Sequence, residues 1–209
     1  MNEVIRKISQ HKIVPVIAID DPVHALPLAD ALIEGGLPLI EITFRTAAAA
    51  TVISTLRKQR PDILLGAGTI LSLDDLHTAI DAGAQFAVAP GLNSEISEAA
   101  LRNDFPFMPG VMTPTDIETG LSLGLSHFKF FPAEAAGGTK YLASISAPYL
   151  HKNLKFIPTG GINTTNLTTY LTMSNVLAVG GTWIARTEDI RSGHWLKIKS
   201  NCQEALQIR

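Results

Sequence analysis

Residues 37–44 read LPLIEITF. A run this apolar, without a polar residue at every second place, suits a strand covered on both faces, as in a parallel sheet under helices. Seven more such runs lie along the chain: IVPVIAI (13–19), ILLGAGT (63–69), AQFAVAP (84–90), FPFMPGV (105–111), HFKFFP (127–132), LKFIPTG (154–160) and VLAVGG (176–181). Helical patterns fall between them. PVHALPLADALIEGG (22–36) stops at Gly35-Gly36, and LSLDDLHTAIDAGA (71–84) starts after the N-cap Ser72 and ends at Gly83. TPTDIETGLSLGL (113–125) offers Thr113 as cap with Pro114 at the first helical position, and NTTNLTTYLTMSN (163–175) offers Asn163 as cap. The AAAA tract at 47–50 and the leading MNEVIRKISQHK also read as helix.

Eight strand–helix units with no break in composition predict an α/β protein, a single (β/α)8 TIM barrel over residues 1–209 with a short N-terminal helix. An open doubly wound sheet is the alternative; the regular pattern favours closure. Apolar residues make up 46% and charged residues 17%, which excludes a disordered chain. The net charge of -2 comes without a basic cluster, so no nucleic-acid partner is expected. No apolar stretch reaches the length of a membrane span, and the polar N-terminus leads us to expect no signal peptide. One cysteine, Cys202, forbids an internal disulfide, and a cytoplasmic protein is expected.

In such barrels the chemistry gathers where strands end. The second run carries Glu41, Thr43 and Arg45 at alternate positions, on one face. The third ends in Thr69, the seventh in Thr159-Gly160-Gly161 and the eighth in Gly180-Gly181-Thr182. The sixth places Lys129 among Phe128, Phe130 and Phe131. A lysine at a strand end can reach out to water, but one held away from water favours its neutral amine, which attacks carbonyls. Glu41 can act as general acid/base and Arg45 can grip a carboxylate; the two can equally pair with each other. The glycine pairs are either tight turns or a phosphate cradle of backbone N–H groups.

Other motifs fail. GAGTIL (66–71) lacks the third glycine of a dinucleotide fingerprint. GLSLG (120–124) has the pattern of a nucleophile elbow but closes a helix, so Ser122 is inert. The histidines at 11, 24, 77, 127, 151 and 194 have no ligand spacing, so no metal and no cofactor is expected. Cys202 packs in the terminal helix.

The segments EITFRT (41–46), GAGT (66–69), AGAQFAVAPG (82–91), FKFFPAE (128–134), PTGGI (158–162) and VGGTW (179–183) resemble, in order and over nearly the whole chain, the class I 2-dehydro-3-deoxy-6-phosphogluconate (KDPG) and 4-hydroxy-2-oxoglutarate (KHG) aldolases. The resemblance implies a metal-independent lyase of sugar-acid catabolism, of the Entner-Doudoroff type, usually homotrimeric. Lys129 would form the Schiff base and Glu41 would move protons. Arg45 and Thr69 would bind the pyruvyl carboxylate, with Pro90 and Phe131 as walls. Thr159 would serve the far end of the substrate, and Gly160, Gly161, Gly181 and Thr182 its phosphate. Thr182 stands where many relatives have serine, and its methyl group crowds that loop. Products would be pyruvate with glyceraldehyde 3-phosphate, or with glyoxylate from KHG. The galactonate epimer of KDPG, an isomerase or decarboxylase on the same barrel, and a non-catalytic sugar-phosphate binder are the rival readings.

Overall fold

The computed structural model describes residues 2–208; Met1 and Arg209, the ends of the expected domain, lie outside them. The apolar runs become β1 (Ile13–Ile17), β2 (Leu39–Thr43), β3 (Leu64–Gly68), β4 (Phe86–Val88), β5 (Phe107–Met108), β6 (Gly110–Val111), β7 (His127–Phe130), β8 (Lys155–Pro158) and β9 (Val179–Gly181). All pair in parallel. One curled sheet runs β5-β4-β3-β2-β1-β9 and a second β6-β7-β8. Isolated parallel bridges, Phe156 to Val176 and Thr159 to Gly180, join β8 to the approach and body of β9.

The fifth run was expected as one strand and forms two. Pro109 interrupts it, because proline has no N–H to donate to a ladder. Its carbonyl still accepts from Lys129 N at 2.9 Å.

Among the described residues ten α-helices connect and flank the strands: α1 (Glu3–His11), α2 (Ala25–Glu34), α3 (Ala49–Gln59), α4 (Leu73–Ala82), α5 (Ser94–Arg102), α6 (Pro114–Ser122), α7 (Gly138–Ser146), α8 (Leu167–Leu171), α9 (Thr187–Arg191) and α10 (Trp195–Ile208). Among the described residues no helix is long and apolar enough to cross a membrane. Ser72 and Thr113 cap α4 and α6 as their sequences require. Each side-chain oxygen accepts from the third helical N–H while Asp75 or Asp116 reaches back, a capping box. Asn163 does not cap α8. Its Oδ1 accepts from Thr165 N at 2.8 Å, which closes a turn, and the helix begins four residues later at Leu167. The alanine tract is helical only from Ala49.

Side-chain alternation along the strands produces two cores. Outward residues such as Ile40, Leu65, Ala87, Phe128 and Phe130 pack beneath the helices. Inward residues Val14, Leu39, Leu64, Phe86, Met108 and Ile157 form a separate cluster with Ile5 and Ile8 of α1. Ile5 shares a cleft with 105–108 and 125–127, the N-terminal approaches to β5 and β7, so α1 closes that end of the interior. The inner face thus has an apolar base. Above it, toward the C-terminal ends of the strands, lie Glu41, Thr43, Lys129 and Thr159, all buried. Seven polar or charged residues are buried among those described, and four of them converge here. Buried polar groups are the informative exceptions to the apolar rule, so the site is sought at this end.

Candidate active site

Strand register prepares the site. Glu41 on β2 lies beside Val16 of β1 and Gly66 of β3, while Lys129 on β7 lies beside Gly110 of β6 and Ile157 of β8. β2 and β7 are neighbours in neither sheet. Even so, Lys129 Nζ donates to Glu41 Oε1 at 3.2 Å. This contact crosses the interior between two groups 6% and 3% exposed. Removing two charges from water costs several kcal/mol per ion, on the order recouped only by good pairing, so such a pair is weak evidence for a purely stabilising role. An amine within hydrogen-bond reach of a carboxylate can instead pass a proton to it.

The aromatic setting differs from the expected one. Phe128 and Phe130 point away from Lys129 into the outer core, against Phe156 and Tyr141. Alternation requires this, since neighbours of an inward residue face outward. Phe131, just past the strand, is the aromatic wall: Lys129 Nζ lies 5.7 Å from its ring centroid.

Room for Glu41 comes from glycine. A Cβ at Gly68 would lie 2.1 Å from Glu41 Oε1, so the carboxyl group occupies the space a side chain would take. One step below, Phe86 fills the corresponding space over Gly66, at 2.1 Å. Phe86 is therefore floor and Glu41 stands above it. Gly68 is a site residue that the candidate list lacked. Gly66 pairs with Glu41 and Gly68 with Thr43, so both glycines lie on the face of Glu41 under strand periodicity, and that pattern was the available signal.

Arg45 lies just beyond β2. Its Nε donates to Thr43 Oγ1 at 3.2 Å, and the Thr43 hydroxyl donates to Ile17 O at 3.1 Å. Arg45 therefore pairs with a hydroxyl, and the Glu41–Arg45 ion pair that alternation also permits does not form. With Nε engaged, the two terminal nitrogens remain for a ligand carboxylate. Thr69 follows β3 with φ of 60°. A β-branched residue in the left-handed region is strained by roughly 1–2 kcal/mol, and such outliers collect at functional sites.

At the remaining strand ends, the carbonyl of Pro90 would lie 2.0 Å from a Cβ at Gly110, so that glycine lets the β4 end approach β6. Thr159 Oγ1 would meet a Cβ at Gly180 at 2.4 Å, and Gly181 is covered by the ring of Trp183, another residue absent from the candidate list. Gly160 and Gly161 have φ of 102° and 81°, which favour glycine. Thr182 is exposed at the end of β9. Ser122 ends α6 and donates to Thr119 O at 2.7 Å, away from these groups. Among the described residues no three His, Cys, Asp or Glu side chains are placed to hold a metal ion. Cys202 is buried in α10, and burial pushes its thiol up to about 12.

The sequence profile described as KDPG and KHG aldolase matches residues 4–201. The chain belongs to that family. It is 44% identical over 206 residues to the 2-dehydro-3-deoxy-phosphogluconate aldolase of Haemophilus influenzae, covering 99% of this chain and 96% of that protein. It is 39% identical over 195 residues to the KHG/KDPG aldolase of Escherichia coli, covering 93% and 91%. The KDPG aldolase of Legionella pneumophila, solved with pyruvate captured at low pH as a covalent carbinolamine intermediate, superposes with a TM-score of 0.92 at 40% identity, covering 97% of each chain.

Proposed function

We propose that this protein is a class I aldolase that cleaves KDPG to pyruvate and D-glyceraldehyde 3-phosphate, and KHG to pyruvate and glyoxylate. The observation that carries the reading is the contact of Lys129 Nζ with Glu41 Oε1, inside the protein, from strands that are not neighbours.

The residues take the following parts. Glu41 accepts the ammonium proton of Lys129, and the freed amine adds to the C2 ketone to give a carbinolamine. Loss of water, with Glu41 returning its proton, leaves an iminium. Glu41 then takes the proton of the C4 hydroxyl. The C3–C4 bond breaks, its electron pair moves into the iminium as an enamine, and the aldehyde departs. Protonation at C3 and hydrolysis release pyruvate and restore the amine. Arg45 offers two terminal nitrogens to the C1 carboxylate, with the Thr69 hydroxyl beside it. Pro90 and Phe131 wall the reacting carbons. Thr159 holds the distal chain, and Gly160, Gly161, Gly181 and Thr182 receive the phosphate. A phosphorylated substrate does not cross a membrane, which agrees with a cytoplasmic protein.

We read the architecture as a closed (β/α)8 barrel forming a single domain. Three features support it: the two bridges between β8 and β9, the unbroken chain from β5 to β6, and the inner cluster drawn from β1 to β5 and β8. The family suggests a homotrimer, for which light scattering should return about three times the chain mass of 22.4 kDa.

The test is a retro-aldol assay on KDPG, its galactonate epimer and KHG, with pyruvate detected enzymatically and EDTA present. Borohydride added with pyruvate should inactivate the enzyme and mark the peptide holding Lys129. A mark on Lys140 or Lys155 overturns the assignment, and faster cleavage of the galactonate epimer overturns the substrate. Lys129→Arg should be nearly inactive, because arginine does not deprotonate to attack.

A further inference from the structure

Buried Tyr170 makes a contact that the chemistry above does not use. It lies in α8, with 0% exposure, and its hydroxyl donates to Glu134 Oε1. Burial and the neighbouring carboxylate push this phenol well above its ordinary range, so it remains a donor. Glu134 itself is exposed and follows β7 by four residues.

Glu134 touches the turn that carries the two proposed phosphate glycines. Its N–H donates to Gly160 O at 3.0 Å, and Ala133 N–H donates to Thr159 O at 2.8 Å. In a trans peptide the N–H points opposite its carbonyl. The carbonyls of Thr159 and Gly160 belong to the peptides whose N–H groups are those of Gly160 and Gly161. Fixing these two oxygens against 133–134 therefore turns both N–H groups the other way. Among the described residues Gly161 N–H has no backbone acceptor, while the parallel bridge of Thr159 with Gly180 turns Gly160 N–H toward Gly180 O. The stem of Glu134 also fills the space beside Gly161: a Cβ there would meet Glu134 Cβ at 2.6 Å and Cγ at 2.7 Å. The next carbonyl, Gly161 O, is held by the side-chain amides of Asn163 and Asn166 at 3.4 and 3.2 Å.

We propose that Tyr170 and Glu134 are positioning residues that hold the Gly160–Gly161 turn with the Gly161 N–H toward a phosphate, and so set the preference for phosphorylated over unphosphorylated substrate. The inference rests on the phosphate reading of these glycines. Tyr170 anchors the carboxylate in the helix layer, the stem of Glu134 lies against Gly161, and its backbone orients the turn.

The test compares Tyr170→Phe, Glu134→Ala and Glu134→Gln with the parent, reading KM for KDPG, KM for KHG and inhibition by inorganic phosphate. Loss of a hydrogen bond to a charged group is commonly worth about ten-fold in binding, so Tyr170→Phe and Glu134→Ala should raise KM for KDPG relative to KHG by about ten-fold. Phosphate inhibition should weaken in parallel. Glu134→Gln keeps the stem and an oxygen to accept from Tyr170, so its ratio should stay within about three-fold of the parent. Glu134 is exposed, so its variants fold even where the buried tyrosine variant does not. A parent-like ratio in Glu134→Ala overturns the proposal, as does equal loss on both substrates or a Glu134→Gln variant as impaired as Glu134→Ala. If the parent shows neither preference for KDPG nor competition by phosphate, the phosphate reading itself falls, and the positioning role with it.

Discussion

Gly68→Ala tests the site through a residue that touches no substrate in the proposed chemistry. The new Cβ would lie 2.1 Å from Glu41 Oε1 and 2.8 Å from its Cδ and Cγ. Ordinary carbon–oxygen contact begins near about 3.3 Å, so the carboxyl group must move by roughly 1 Å. That displacement acts on the 3.2 Å contact with Lys129. Misplacing a catalytic group by about 1 Å can cost on the order of 10²-fold in rate, and kcat should fall by that much. The backbone at Gly68 is not left-handed, so alanine is tolerated there, and its lower unfolded-state entropy offsets about 0.4–1 kcal/mol of the crowding. For a chain of this size, 1 kcal/mol shifts Tm by roughly 2–4 °C, so the melting temperature should change little. Pyruvate release coupled to lactate dehydrogenase gives kcat, and circular dichroism gives Tm. Since the clash is with the end of a long side chain, Gly68→Ala combined with Glu41→Asp should be less impaired than the two single losses multiplied. A folded Gly68→Ala variant with kcat within about three-fold of the parent would refute the placement of Glu41 as proton carrier.

Four further outcomes are expected. Glu41→Gln keeps the shape beside Lys129 but removes the base, so kcat should drop by about 10²–10⁴-fold with the fold intact by circular dichroism. Arg45→Lys keeps charge without two parallel donors, and KM for pyruvate in the condensation direction should rise roughly ten-fold; an unchanged KM would place the carboxylate elsewhere. Thr69→Gly releases left-handed strain of about 1 kcal/mol, so Tm should hold or rise by a few degrees while KM for pyruvate increases. His127 is held below its ordinary range, first by burial and then by Lys155. Below about pH 6.5 the unfolded chain therefore binds the proton before the folded one, and stability declines as pH falls through the window beneath that value. Melting curves from pH 7.5 to 5 should show a shallower decline in His127→Asn, and equal slopes would count against the assignment.

The parallel strands and most helix starts were legible because local chemistry determines them. Ser72 and Thr113 stand three residues before an aspartate, and the capping box needs nothing further away. Asn163 misled because its side chain closes a local turn with Thr165, and the helix starts only after that turn, at Leu167. Lys129 was visible as a charge inside an apolar strand with Phe131 on its face, but Phe128 and Phe130 do not belong to its surroundings. Adjacent residues in a strand face opposite sides, so Phe128 and Phe130 belong to a different environment from the lysine. Pro109 was the visible sign of a break in the fifth run, since proline has no N–H for a ladder. The support around the glycines, Glu134 with Tyr170 and Trp183 over Gly181, depends on side-chain shape across long separations. No periodicity carries that information.

The apolar base of the interior, where Ile5 and Ile8 of α1 meet Phe86 and Met108, imposes a traffic rule. If the barrel is closed as proposed, reactant, departing aldehyde and incoming water would share one doorway at the strand C-termini. In the proposed chemistry the pyruvyl fragment is tethered to Lys129, above that base, so it would leave by the way it came. The aldehyde must clear the doorway before water can reach the imine and cut the tether. Under the proposed chemistry the enamine is safe from water until C3 is protonated, and in that interval a different aldehyde entering by the same door would be joined to it.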